Sequence, residues 1–153
     1  MQLPFTLFTE SPEQTEKIGR ALASLLASDG ELPTFVAMYG DLGVGKTAFV
    51  RGFCSELCKG ATVKSPTFAL VNEYRCTAED APVKKVCHFD MYRITDEDDL
   101  YSIGFYDYLN DNAYCIAEWC ELIPYALPEE YISVKIEKTG FEDQRKITVE
   151  LML

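Results

Sequence analysis

The chain has 153 residues, a formal net charge of −11 at pH 7 and 48% hydrophobic residues, enough for one core of ordinary domain size. No apolar run reaches the roughly eighteen residues of a membrane span, and "MQLPFTLFTESPEQ" lacks the basic start and continuous apolar stretch of a signal peptide, so a cytoplasmic protein is expected. Scattered Lys and Arg on so acidic a chain exclude a broad basic surface for direct nucleic-acid binding, though an acidic domain can serve such a pathway when a partner carries the RNA.

In chain order, "FTLF" reads as extended, and a helix starts at Ser11. That serine is an N-cap, Pro12 suits the first helical position, and Gln14 completes a capping box. Ile18, Leu22, Leu25 and Leu26 make one apolar face, and Gly30 is the expected helix stop. Residues 34–39, "TFVAMY", read as a buried strand, and residues 46–57 as a helix. Residues 67–76 and 83–93 read as strands around the "EDAP" turn, pairing antiparallel. "DEDDLYSIG" and "FYDYLND" read as short helical pieces. "AYCIAEW" is a buried strand ending in an acid. Residues 131–153 alternate twice around a turn, with Ile132, Val134 and Ile136 on one strand and Ile147, Val149 and Leu151 on the other, which predicts a C-terminal antiparallel hairpin. No repeat or linker interrupts residues 1–153, read as a single domain. The fold class is α/β, a three-layer sandwich with a mixed central sheet.

The chemistry begins at "GDLGVGKT". Gly40, Gly45, Lys46 and Thr47 fit G-x-x-x-x-G-K-[ST] between a strand and a helix. Glycines let backbone N–H groups turn inward around phosphate oxygens, so Asp41, Leu42, Gly43, Val44, Gly45 and Ala48 become nucleotide contacts. The helix start adds favourable partial charge, Lys46 reaches the β and γ phosphates, and Thr47 offers a hydroxyl to Mg²⁺. No N-K-x-D guanine signature occurs, which favours adenine. The five arginines, at 20, 51, 75, 93 and 145, form no loop pair of the kind that clamps phosphates in small-metabolite kinases. Hydrolysis or nucleotide-switched binding remains.

A phosphate-loop enzyme needs an acid at a neighbouring strand end. Asp90 follows "VCHF" and Glu118 follows "YCIA"; the sharper, more apolar run before Glu118 favours it for the metal, with Asp90 holding a metal-bound or attacking water. Thr67, after a proline-stiffened turn, is either a switch threonine or a structural one. Trp119, the only tryptophan, either stacks on a base or partner or packs in the core. His88 reads as a packed or half-exposed histidine rather than a catalyst. The six cysteines form no C-x-x-C pair; Cys54 and Cys58, four apart on a helix, lack a second ligand pair for a metal, and reduced thiols are expected.

"GDLGVGKT", "VKSPTFALVNEY", "HFDMYRI" and "AEWCE", in this order and spacing, resemble the bacterial TsaE family (also called YjeE), the ATPase of tRNA threonylcarbamoyladenosine biosynthesis. The resemblance runs from "TESPEQT" to "QRKITVEL". It implies a P-loop NTPase-like α/β sandwich that binds and slowly hydrolyses ATP with Mg²⁺. The implied partners are TsaB and TsaD, with TsaD the transferase and tRNA met only through the complex. Carried over by position, Lys46 and Thr47 hold phosphate and Mg²⁺, and Glu118 is the metal-linked acid with Trp119 beside it. Asp90 is the acid of "HFD" and Thr67 the switch-like threonine. The turn from Thr9 to Ser11 lies near adenine. Arg145 matches a C-terminal arginine near the nucleotide, although Gln144 stands where the family often has glycine.

Overall fold

The computed structural model describes residues 2–59, 63, 70–76, 83 and 85–153. It contains strands β1 (Phe5–Thr9), β2 (Phe35–Tyr39), β3 (Val71–Arg75), β4 (Lys85–Asp90), β5 (Ala113–Glu118), β6 (Tyr131–Lys138) and β7 (Arg145–Met152). The helices are α1 (Pro12–Ser28), α2 (Lys46–Leu57), α3 (Glu97–Ser102) and α4 (Phe105–Leu109), with single 3₁₀ turns at Cys120–Leu122 and Pro124–Ala126. The strands form one sheet in the order β1-β7-β6-β2-β5-β4-β3. β2 runs parallel to β5 and β6, and β4 parallel to β5; β1–β7, β6–β7 and β3–β4 are antiparallel. The mixed sheet, the β3–β4 pair and the C-terminal hairpin are those the alternation of the sequence predicts.

Both faces of the sheet are covered. Val36, Met38, Ile116, Ile132 and Val134 pack under α1 and α2 with Leu22, Leu26, Phe49 and Phe53. Phe35, Cys87, Phe89 and Ala117 pack on the other face with Leu100, Phe105 and Ile123, from α3, α4 and the 3₁₀ turns. The period-2 alternation of a strand therefore assigns each side chain to one layer. Val86, His88 and Asp90 share the α1–α2 face of β4, and Tyr114, Ile116 and Glu118 share that face of β5.

The start of α1 follows the expected capping chemistry with one shift. Ser11 Oγ accepts from Gln14 N at 3.2 Å, and Pro12 occupies the first turn. The Gln14 side chain, however, accepts from Glu10 N at 2.7 Å, so the reciprocal bond closes one residue before the cap. The far end departs from expectation. The helix stops at Asp29, whose extended backbone (φ −125°) donates its N–H to Leu25 O at 3.1 Å, while Glu31 N bonds the Asp29 carboxylate at 3.1 Å. These bonds end the helix, and Gly30 is not among the positive-φ glycines.

α1 lies against α2 at backbone contact. A Cβ on Gly19 would sit 2.1 Å from Phe49 O, and one on Gly52 would sit 1.9 Å from Glu16 O. Each glycine admits the other helix's main chain, so this crossing tolerates no side chain at either position. Gly52→Ala must push the helices apart. The expected cost is about 2 kcal/mol, read as a fall in Tm of roughly 4–8 °C by thermal unfolding. Gly30→Ala, with nothing within 4 Å of its added Cβ, is the control and should leave Tm unchanged or slightly raised.

Candidate functional site

Strand direction gathers the candidate residues. β2, β4, β5 and β6 point the same way, so Gly40, Asp90 and Glu118 leave the sheet at one edge. β7 is antiparallel to β6, and β1 to β7. The end of β1 and the start of β7 therefore reach that same edge, where Thr9 pairs with Arg145. Ligands of open α/β sheets sit at the carboxyl ends of such parallel strands.

Between β2 and α2 the chain makes a tight glycine loop. Val44 N donates to Asp41 O at 3.3 Å. Gly40 (φ 148°) admits Ile136 O, which a Cβ there would meet at 2.6 Å; Gly45 (φ 108°) turns the chain into α2 in a conformation L side chains rarely adopt. No side chain caps the helix at Gly45, so the backbone of its first turn faces the loop's interior, the arrangement that binds anions. Leu42, at the loop tip, is 77% exposed.

Lys46 is buried. Its Nζ donates to Gly40 O and lies 3.6 Å from the centroid of the Trp119 ring. Burial pushes the ammonium below its usual pKa, while Glu118, Glu121, Asp90 and Asp41, in falling order, oppose that shift. Trp119 sits in the left-handed region (φ 62°), and its ring packs on Tyr92 at 5.0 Å between centroids. It is half-buried against the lysine, neither a core tryptophan nor a free surface one.

Glu118 is buried with 5% of its surface exposed, and its Oε2 lies 2.6 Å from His88 Nε2. Asp90 is its register partner across β4–β5, and its Oδ1 accepts from Tyr92 N at 3.0 Å. Glu121 Oε2 accepts from Gly40 N at 3.3 Å, tying the first 3₁₀ turn to the start of the loop. Thr67 lies outside the described residues.

On the other flank, Thr9 and Thr15 are buried and bonded hydroxyl to hydroxyl at 2.9 Å, which holds the end of β1 on α1. Arg145 Nε donates to Val44 O at 3.0 Å, and its Nη1 to Glu142 O and Gln144 O at 2.8 and 2.9 Å. A cleft of about 150 Å³ opens between Ser11, Thr15, Val44, Asp143 and Arg145, beside the loop. A larger cavity, about 650 Å³, lies at the far end of α1 among Leu3, Leu25, Leu32, Asp29 and Glu150. None of its lining residues is a Lys or Arg, so it lacks the charge a phosphate needs, and the loop edge is the better site.

The oxygen donors present suit a hard cation. Among the described residues no three His, Cys, Asp or Glu side chains converge as a metal cage. The Thr47 hydroxyl at the start of α2 and the Glu118 carboxylate, with Asp90 beside it, are instead the residues that would hold Mg²⁺, a cation that takes few protein oxygens and keeps phosphates and water in its shell. Cys58, rather than pairing with Cys54 toward a metal, has its sulfur 2.9 Å from that of Cys76, and all six cysteines are free.

Thr9, Ser11, residues 41–48, Asp90, Glu118, Trp119 and Arg145 thus share one edge. Sequence reasoning missed the contacts of His88, Glu121 and Tyr92, although each lies inside a motif it singled out. For His88 what was missing was the pairing of β4 with β5, and for Glu121 the approach of the first 3₁₀ turn to the end of β2, neither of which sequence spacing shows.

The sequence matches the family described as "Threonylcarbamoyl adenosine biosynthesis protein TsaE" over residues 9–147. It is 36% identical to the tRNA threonylcarbamoyladenosine biosynthesis protein TsaE of Bacillus subtilis, covering 92% of this chain and 81% of that protein. The TsaE of Haemophilus influenzae is also 36% identical, covering 86% of this chain and 79% of that one. Among solved structures, Bacillus subtilis YdiB superposes with a TM-score of 0.65 at 31% identity, covering 97% of this chain and 86% of that chain.

The Thr9–Thr15 bond makes a prediction independent of ligand. Thr9→Val or Thr15→Val alone strands one buried hydroxyl and should cost about 1–2 kcal/mol in urea unfolding. The double variant removes both hydroxyls, so its cost should fall clearly below the sum of the two; strict additivity would mean the bond contributes nothing.

Proposed function

Because the chain belongs to the TsaE family of threonylcarbamoyl adenosine biosynthesis proteins, we propose that it is a cytoplasmic, Mg²⁺-dependent ATPase serving that tRNA modification, acting with a TsaB–TsaD complex rather than as the transferase. The observation that carries the ATPase reading is the convergence of Lys46 with two strand-end carboxylates, Asp90 and Glu118, at one sheet edge. In this reading the backbone of residues 41–48 cradles the phosphates. Lys46 exchanges its bond to Gly40 O for a phosphate oxygen. The cleft between Ser11, Thr15, Val44 and Arg145 receives the nucleoside end.

Thr47 and Glu118 would hold Mg²⁺, which when bound neutralises charge on the phosphates. Glu118 and Asp90 would orient the metal's waters and the attacking water. Four carboxylates act on Lys46, so the empty pocket repels a bare triphosphate; nucleotide affinity should therefore rise with Mg²⁺. Slow, partner-dependent turnover fits the remaining cations. Arg145 is committed to three carbonyls, which leaves Lys46 as the loop's own cation for charge developing on the transferred group. An acidic chain meets tRNA through a complex that supplies the basic surface.

The test is phosphate release from ATP, with and without TsaB–TsaD, on wild type, Lys46→Ala and Glu118→Gln. Lys46→Ala should weaken ATP binding at least about tenfold. Glu118→Gln should bind ATP and lose about a hundredfold in kcat. Transfer of labelled phosphate to a small metabolite instead of water would replace this reading with a kinase. Full tRNA modification with Glu118→Gln would replace it with a nucleotide-gated binding module.

A further inference from the structure

His88 is the only histidine of the chain, is fully buried, and is bonded to the Glu118 carboxylate. Packing does not explain it. His88 stands on the α1–α2 face of β4 in line with Val86, opposite Ile116 in the β5 register, where an aliphatic side chain would fill the layer without desolvating a ring. Its other nitrogen, Nδ1, is buried and has no hydrogen-bond partner among the described residues. A buried polar atom left unsatisfied works against stability and calls for a functional reason. The unpaired nitrogen also fixes the tautomer. Nε2 faces a carboxylate, which only accepts, whereas a proton on Nδ1 would be a buried donor with nothing to receive it. Nε2 therefore carries the donated proton.

We propose that His88 is a positioning residue for the metal-linked acid: its Nε2–H holds Glu118 Oε2 and so fixes the plane in which Oε1 lies. The proposal rests on the reading of Glu118 as the metal-linked acid of an ATPase. The 2.6 Å separation is that of a strong, charge-assisted bond. Asp90 is fixed separately, through Tyr92 N. Both acids are thus oriented by the protein, and neither has to lose rotamer freedom when nucleotide and cation arrive. A ring donating to a carboxylate that serves a metal is the usual outer-shell device turned round, with the carboxylate as ligand and the imidazole as support.

The test uses the full chain and two variants. His88→Leu removes the donor and keeps an apolar filler; His88→Gln restores an N–H at a similar reach. Mn²⁺ affinity is measured in the presence of a non-hydrolysable ATP analogue, together with metal-free nucleotide affinity, kcat and KM for ATP, and Tm. His88→Leu should lose about tenfold to a hundredfold in Mn²⁺ affinity and in kcat, with metal-free nucleotide affinity and KM nearly unchanged. His88→Gln should recover much of the loss. Unchanged Mn²⁺ affinity and kcat in His88→Leu would overturn the proposal. So would equal losses in both variants that simply follow a fall in Tm, since that marks packing. Should His88→Leu not fold, the wild type decides: with one histidine, the ¹⁵N spectrum of the imidazole reports this ring alone. It should show the Nε2-protonated tautomer and shift when Mg²⁺ and the analogue are added; an Nδ1-protonated or unresponsive ring overturns the proposal. If the wild type hydrolyses no ATP, the ATPase reading fails, while Mn²⁺ affinity still decides whether His88 positions Glu118.

Discussion

The backbone contact between α1 and α2 sets the geometry on which the site depends. With Gly19 and Gly52 each admitting the other helix's carbonyl, the N-terminal helix is held as close to the loop helix as main chains allow. That closeness carries the start of α1, and with it Ser11 and Thr15, to the flank of the glycine loop. The Thr9–Thr15 hydroxyl bond then locks the end of β1 onto the same helix. Because β1 is an edge strand paired only with β7, it has one ladder to hold it. The helix crossing supplies the second restraint. A side chain at either glycine would widen the crossing and open the cleft as well as lower stability.

The electrostatics of the loop run against the simple picture of a basic anion hole. Lys46 is the loop's cation, and Glu118, Glu121, Asp90 and Asp41 all act on it. Burial disfavours its charged form, and these acids offset that only in part, so the net direction is downward. The carboxylates gathered around this ammonium belong to a chain already at −11.

What was legible in the sequence follows from what is local. The bounds of α2, the strand before it and the cap at Ser11 are set by residues within a turn or two of each other, and glycine, lysine and serine announce them. Strand alternation was equally readable, and with the turns it placed two of the three antiparallel pairs, β3–β4 and β6–β7, but not β1–β7. Contacts made across the sheet were not. His88 and Glu118 lie thirty positions apart, and nothing in either segment states that β4 and β5 are neighbours. His88 read as a packed or half-exposed histidine, and it is fully buried; its bond emerges only when the parallel register brings Glu118 alongside. Gly19 and Gly52 escaped notice for a related reason. Periodicity reveals which face of a helix is apolar, not where that face needs no side chain at all. Gly30 marked the place of the helix stop, just past the cap, but not its cause, since Asp29 ends the helix through its own backbone and carboxylate.

Trp119 shows how strain and attraction are balanced beside the lysine. A left-handed backbone at a bulky residue costs about 1–2 kcal/mol, and here it directly follows the buried acid of β5. The turn it makes aims the indole across the Lys46 ammonium and onto Tyr92. A cation–π contact contributes about 0.5–2 kcal/mol and an aromatic pair about 0.5–1.5 kcal/mol, together of the size of the strain. The conformation is therefore held by its neighbours and not by its own backbone. Any event that draws the ammonium away from the ring removes one of those supports while leaving the strain in place. The position of Lys46 and the backbone immediately after Glu118 are consequently coupled, and both meet at the edge of the sheet where the acid, the loop and the first 3₁₀ turn come together.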